Sequence, residues 1–210
     1  MAFGVDEAGK GPVLGSMFAA AVRAPREAIP ADVDDSKRLD ADRRERLARA
    51  LHDDDRVHAA VVGVPPGRID AGNVNDLLVA AHAEAAGSVV APGDAGLCDA
   101  ADVDADRFAA RVADRIEVDC TVDARHGADG TDDLVAAASV LAKSAREAHV
   151  EELAAEYGDV GSGYPSDPGT RSFLRRHVAE TGELPDCARR SWTTSEDVLA
   201  SAEQSALGDF

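Results

Sequence analysis

Lysine is almost missing from this sequence. Among 210 residues there are 3 lysines (Lys10, Lys37, Lys143), against 19 arginines, 27 aspartates and 13 glutamates, and the formal net charge is −18. Aromatic residues are scarce too, at 4 %, although 45 % of the chain is hydrophobic, so the apolar content is mostly alanine and valine. That share of apolar residues excludes wholesale disorder. No run approaches the roughly 18 apolar residues of a membrane-spanning helix. The start, MAFGVDEAGKG, has no basic segment followed by an apolar run, so no secretory leader is expected. The three cysteines (Cys98, Cys120, Cys187) lie far apart and form no CxxC pair, zinc pattern or even-numbered disulfide framework. A reducing, cytoplasmic setting is the default for such a chain. The length suits one ordinary domain, or one domain with a small appendage.

A chain without a basic patch is, by the usual rule, a poor candidate for a polyanion partner. The same numbers have a second reading. Aspartate in excess, lysine nearly absent, arginine retained and alanine in place of larger apolar residues is what a salt-adapted cytoplasm favours. At roughly 1 M salt the Debye length is about 3 Å, so an acidic surface no longer repels a polyanion at range. The plainer alternative is an acidic surface that serves solubility. On either reading, phosphate binding has to come from a few placed residues.

Residues 2–7 read as a short buried strand ended by Gly9 and Gly11-Pro12, and residues 15–23 as a second. Asp40 is placed to cap a helix, ADRRERLARAL, with Leu47 and Leu51 on one face. A third strand is expected over 57–64, a helix over 76–86, a short strand over 96–99, a helix over 104–116 and a strand over 117–123. Asp132 or Asp133 would cap a long helix to about residue 157. Shorter helices are expected over 170–180 and 195–201. Hairpin-joined strands followed by crossover-joined ones predict an α/β fold with a mixed sheet. The expected division is a core over 1–157, a helical extension of the same body over 158–203, and a tail over 204–210.

Asp6 and Glu7 are adjacent acids closing an apolar strand, where acids are poor strand formers and costly to bury unpaired. Asp99 sits where another short strand ends, and Asp129 lies in the loop HGADG before the long helix. Strand ends and the loops leaving them are where α/β folds assemble sites. Carboxylates converging there would bind hard divalent ions, with Mg²⁺ suiting one or two carboxylates plus a substrate phosphate. Two ions about 3.5–4 Å apart can activate a water and stabilise the leaving oxygen of a phosphodiester. Scattered acids in so acidic a chain are otherwise solvated surface. A strict pleat would send Asp6 and Glu7 to opposite faces, so a shared site requires the strand to break at Glu7.

Three further features fit phosphate handling. Gly9-Lys10-Gly11 is a small turn with backbone N–H groups and one cation. Ser139 and Lys143 are four apart on the long helix, so a hydroxyl and an ammonium share one face. Tyr164, between Gly163 and Pro165, is either a packing residue or a stacking platform for a sugar or base.

DEAGKGPVLG at 6–15, DSKRL at 35–39, DAADVD at 99–104, HGAD at 126–129, AASVLAK at 137–143, GSGYPSDP at 161–168 and RRSW at 189–192 together resemble ribonuclease HII in its archaeal form. The motifs run in the family's order from residue 3 to about 195. The resemblance implies a ribonuclease H-like fold: a mixed five-stranded sheet flanked by helices, with a C-terminal helical extension. It implies an endonuclease acting on the RNA strand of RNA–DNA hybrids and at ribonucleotides embedded in duplex DNA, leaving 5′-phosphate and 3′-hydroxyl ends. By match, Asp6, Glu7, Asp99 and Asp129 would be catalytic, holding Mg²⁺ or Mn²⁺, two ions when substrate is bound. Gly9, Lys10 and Gly11 match the segment that reads the ribose 2′-hydroxyl. Tyr164 matches the tyrosine that stacks on the sugar at the RNA–DNA junction. Ser139 and Lys143 match phosphate-contacting positions, and Ser36 and Lys37 lie in a motif near the nucleic acid. HGADGTDDL is more acidic than the family's usual segment there.

The last residues, QSALGDF, are similar to the motif that docks on the DNA sliding clamp, with Gln204, Leu207 and Phe210 as its anchors, although the chain ends after one aromatic instead of two. A short turn would present Leu207 and Phe210 together to an apolar pocket; the alternative is an unstructured tail. A monomer with no membrane partner is expected. Two other functions stay open at this point: a different metal-dependent nuclease or integrase on the same fold, and a non-enzymatic clamp-associated adaptor whose acids are only surface.

Overall fold

The computed structural model describes residues 1–33 and 40–208, with side chains up to residue 204. Ser36 and Lys37, with the rest of DSKRL, lie outside the described residues, as does Phe210; of Leu207 only the backbone is described. The chain divides into two compact units.

The first unit comprises residues 1–8, 17–63 and 74–146. Its centre is a five-stranded mixed sheet in the order β3-β2-β1-β4-β5. The strands are β1 (Ala2–Ala8), β2 (Met17–Arg23), β3 (His58–Val64), β4 (Asp94–Asp99) and β5 (Cys120–Arg125). β1 pairs antiparallel with β2, with Asp6 opposite Ala20. It pairs parallel with β4, where Val5 is opposite Cys98, and β4 pairs parallel with β5, where Asp99 is opposite Arg125. Helices α1 (Ala41–Asp53) and the first part of α5 (Asp133–Tyr157) build one apolar cluster with Ala20 and Val22 of β2. Helices α3 (Val74–Gly87) and α4 (Ala105–Ala113) build another with Phe3, Val5 and Cys98. β1 is therefore covered on both sides, which is why it reads as an apolar run without alternation. Its even residues point to α5, and Gly4 is required there: a Cβ at that position would lie 2.3 Å from the Leu134 backbone carbon. Its odd residues point to α3 and α4.

Local chemistry sets the element ends. Asp40 accepts a hydrogen bond from the Arg43 amide and Asp104 from the Arg107 amide, each starting its helix as an N-cap. Asp132 Oδ1 accepts from the Leu134 and Val135 amides at 3.0 and 3.2 Å, which settles which of the two acids begins α5. β4 starts two residues earlier than expected, at Asp94. Its buried carboxylate is ion-paired with Arg23, which offsets the cost of an acid in a strand.

The second unit comprises residues 9–16, 64–73 and 147–210. It holds α2 (Pro66–Asp70), the rest of α5, α6 (Pro168–Thr181) and α7 (Thr193–Gly208) around Val13, Leu14, Leu153, Val160, Phe173 and Leu174. The Pro65-Pro66-Gly67 segment follows β3 and starts α2, because Pro66 stands at the first turn of a helix, where no backbone N–H is needed. α7 is longer than the seven-residue expectation and carries Gln204 and the backbone of Leu207 in helical form. Among the described residues no helix is long and apolar enough to cross a membrane.

Candidate metal centre

β1 and β4 run parallel, and their last paired residues are Val5 and Cys98. Asp6 and Asp99 are thus the next residues on neighbouring strands, at the same phase of the pleat. The loop after β5 turns back through Gly127, whose φ of 67° places it in the left-handed region, into a short 3₁₀ turn over Ala128–Gly130. Asp99 Oδ1 accepts a hydrogen bond from the Ala128 amide at 3.0 Å, tying that turn to the end of β4. Asp129 is carried into the same space. Asp6, Asp99 and Asp129 each offer a carboxylate oxygen within 4.8 Å of the others, and Asp6 and Asp129 are only 4 % exposed.

Three acids this close, two of them buried and the third half-buried, repel one another. Burial raises the Asp6 carboxyl to about 7, helped by the charges of Glu7 and Asp99 and opposed by Ser139 and by the Glu7 amide, which donates to Asp6 Oδ1 at 2.7 Å. Burial also raises Asp99, with the charges of Asp129 and Glu7 adding to it and the Ala128 amide opposing. The donor set is all oxygen, burial disfavours Asp6 and Asp99 as bare anions, and the three carboxylates meet at one point. Such a set fits a hard divalent cation, whose charge would reverse the repulsion.

Glu7 is arranged differently from the other three. The expected break at Glu7 does not occur: β1 continues to Ala8, with Glu7 opposite Ala19 and Ala8 opposite Phe18. The pleat therefore sends Glu7 to the α3 face and Asp6 to the α5 face. Glu7 Oε2 lies 3.0 Å from Nε2 of His82 on α3. Its charge still reaches Asp6 and Asp99, so it stands at the edge of the cluster. His82 carries no sequence signal beyond being a polar residue in the apolar helix LLVAAHAEAA.

Ser139 is fully buried on α5 and favours the ionised form of Asp6, while Lys143, one helical turn further along, is half-buried. In the second unit the structure joins the Gly9-Lys10-Gly11 turn to the Tyr164 loop. The amides of Val13 and Leu14 donate to the Gly163 carbonyl at 2.8 and 3.2 Å. A Cβ on Gly11 would lie 3.7 Å from the Tyr164 ring, which is 45 % exposed. The RRSW segment supplies what holds the turn. The fully buried Arg189 guanidinium donates to the carbonyls of Gly9 (2.6 Å), Lys10 (2.9 Å) and Gly15 (3.0 Å). Trp192 Nε1 donates to the Gly11 carbonyl at 3.3 Å, and its ring lies against the Arg189 guanidinium. Arg189 was legible in the sequence only as part of a motif, with no role attached to it.

Known proteins give the same picture. Residues 3–195 match the family model described as Ribonuclease HII. A ribonuclease HII of Natronomonas pharaonis is 61 % identical over 207 residues, covering 99 % of this chain and 98 % of that one. The crystal structure of ribonuclease H2 from Pyrococcus horikoshii superposes with a TM-score of 0.89 at 34 % identity, covering 97 % of this chain and 99 % of the other. A PCNA:RNase HII complex from Archaeoglobus fulgidus gives a TM-score of 0.80 at 34 % identity, covering 94 % and 96 %. The likeness covers nearly the whole chain in sequence and in fold, and on that ground the chain belongs to the ribonuclease HII family.

Proposed function

We propose that this chain is an endonuclease that hydrolyses the RNA strand of RNA–DNA hybrids and also cuts at single ribonucleotides embedded in duplex DNA. The observation that carries the reading is the convergence of Asp6, Asp99 and Asp129 within 4.8 Å at the carboxyl ends of adjacent parallel strands and the turn that follows them. Mg²⁺ or Mn²⁺ would be held by these three acids, with Glu7 at the edge serving a second ion. Bound there, the ions would supply an activated water and charge stabilisation for the leaving oxygen.

The chain's own residues do the rest. Asp6, Asp99 and Asp129 are pre-gathered, so little reorganisation is needed when the site is loaded. The attack by water breaks the P–O3′ bond and leaves a 3′-hydroxyl and a 5′-phosphate. Selectivity for RNA is assigned to the Gly9-Lys10-Gly11 turn. With its carbonyls taken by Arg189 and Trp192, what that turn offers a ribose 2′-hydroxyl is its backbone N–H groups and the absence of side chains at Gly9 and Gly11. Tyr164, beside Gly11, would stack on the sugar at the junction. Ser139 and Lys143 are assigned to phosphate contacts, and Ser36 and Lys37 to the nucleic acid nearby. Gln204, Leu207 and Phe210 would dock on the sliding clamp; the related Archaeoglobus protein was solved as a PCNA complex. The net charge of −18 is assigned to work in concentrated salt.

The test is a duplex carrying one ribonucleotide, assayed with Mg²⁺ or Mn²⁺ at molar KCl beside an all-DNA duplex. Cleavage of the first alone is expected, and Asp6→Asn and Asp129→Asn should each abolish it. Cleavage of both duplexes would favour a general nuclease on the same fold. A variant with near-full activity would overturn the site.

A further inference from the structure

We infer that His82 is a positioning residue for the metal centre: it holds the Glu7 carboxylate so that Glu7 can serve as a ligand from the far face of the sheet. The inference rests on the proposed reading of the acid cluster and adds a residue that reading does not contain.

The pleat creates the need. Because β1 continues through Glu7, the backbone delivers Glu7 to the side opposite Asp6. A flexible side chain starting from that side reaches the cluster edge in only some of its rotamers. Something must select among them, and at 15 % exposure of the Glu7 side chain water does little of it. His82 is the one polar residue among the buried positions of α3, and it is fully buried. Its Nε2 lies 3.0 Å from Glu7 Oε2. A carboxylate only accepts, so Nε2 must carry the proton. The other ring nitrogen, Nδ1, is buried with no hydrogen-bond partner. A lone pair is a cheaper orphan than an N–H, so the neutral Nε2–H tautomer fits best.

The ring is fixed from a second side. Phe108 of α4 meets it edge-on, with centroids 5.1 Å apart and an interplanar angle of 85°. An imidazole held in plane by an aromatic edge and aimed by one N–H is a rigid donor, and it takes one of the two Glu7 oxygens. The other oxygen is left to face an ion. Hydrogen bonds of this kind to metal-ligating groups typically set metal affinity within a factor of 10–100. A leucine would fill the same volume without the cost of burying a polar ring, which argues that the hydrogen bond is why a histidine stands there.

Mn²⁺ titration of the full-length protein by calorimetry in molar KCl tests this, with thermal unfolding in chelator run in parallel. His82→Leu, and His82→Phe, which keeps a ring but no donor, should weaken Mn²⁺ binding about 10–100-fold. His82→Gln, which can offer an amide N–H in the same direction, should restore it to within a few-fold of the parent. In a Glu7→Gln background, His82→Leu should change the Mn²⁺ affinity no further, because the two act as one unit. Parent-like Mn²⁺ affinity in His82→Leu or His82→Phe would overturn the inference, as would an equal loss in both Glu7 backgrounds. Undiminished Mn²⁺ binding by Asp6→Asn would instead sink the reading of the cluster itself, and the role of His82 with it.

Discussion

Removing one charge from the acid cluster should make the metal-free protein more stable. Asp6 is 4 % exposed, and its carboxyl is raised from 3.8 to about 7, first by burial and then by the charges of Glu7 and Asp99. Between those two values the folded protein holds a proton that the unfolded chain has already released. Stability therefore falls as pH rises through this window and levels off above about 7. At 1.36 kcal/mol per pH unit the full cost above pH 7 is about 4 kcal/mol. Asparagine removes the charge and can keep the hydrogen bond from the Glu7 amide, but it buries an amide in return, so a recovery of roughly 1–3 kcal/mol is expected. For a chain of this length each kcal/mol moves Tm by about 2–4 °C. The assay is thermal unfolding of Asp6→Asn and the parent in molar KCl with chelator, at pH 5 and pH 8. The variant should melt higher at pH 8, and the gap should shrink at pH 5, where the parent's Asp6 is protonated. Mn²⁺ should then raise the parent's Tm at pH 8 and leave the variant's nearly unmoved. A variant that melts lower than the parent at pH 8 in chelator, or a gap equal at both pH values, would refute the electrostatic reasoning.

Other measurements probe the remaining parts. Arg189→Lys cannot span the carbonyls of Gly9, Lys10 and Gly15, so it should lower stability by at least about 2 kcal/mol and weaken discrimination between ribose and deoxyribose; a parent-like Tm in differential scanning would contradict the role given to the guanidinium. Lowering KCl from molar to roughly 0.1 M lengthens the Debye length from about 3 to 10 Å. With 40 acids against 22 basic residues, both Tm and activity should fall, and a maximum of stability in dilute buffer would refute salt adaptation. The double variant Leu207→Ala, Phe210→Ala should lose binding to the sliding clamp in a pull-down or titration while cleaving a free hybrid normally. Unchanged clamp affinity would remove the tail from the binding surface.

What the sequence determined by itself is local. The strand over residues 2–7, the capping Asp40, and the long helix with a cap at Asp132 or Asp133 follow from spacing and from side chains that bond their own backbone a few residues away. Asp6, Asp99 and Asp129 could each be singled out locally, as acids at strand ends and in the loop before the long helix, but not their meeting within 4.8 Å. Short-range signals also fell short in small ways: Pro66 is the first turn of α2, and the strand expected from residue 96 begins at Asp94, whose carboxylate is paired with Arg23. Only the tertiary structure decided how the four acids divide. Adjacent residues on an unbroken strand must face opposite ways, so Asp6 joins Asp99 and Asp129 while Glu7 turns to His82. The same holds for Arg189, whose three carbonyl partners lie more than 170 residues away in the chain. Periodicity and capping report on neighbours along the backbone, whereas the orientation of Glu7 and the bracing of the glycine turn depend on groups brought close by folding, and no local pattern encodes those distances.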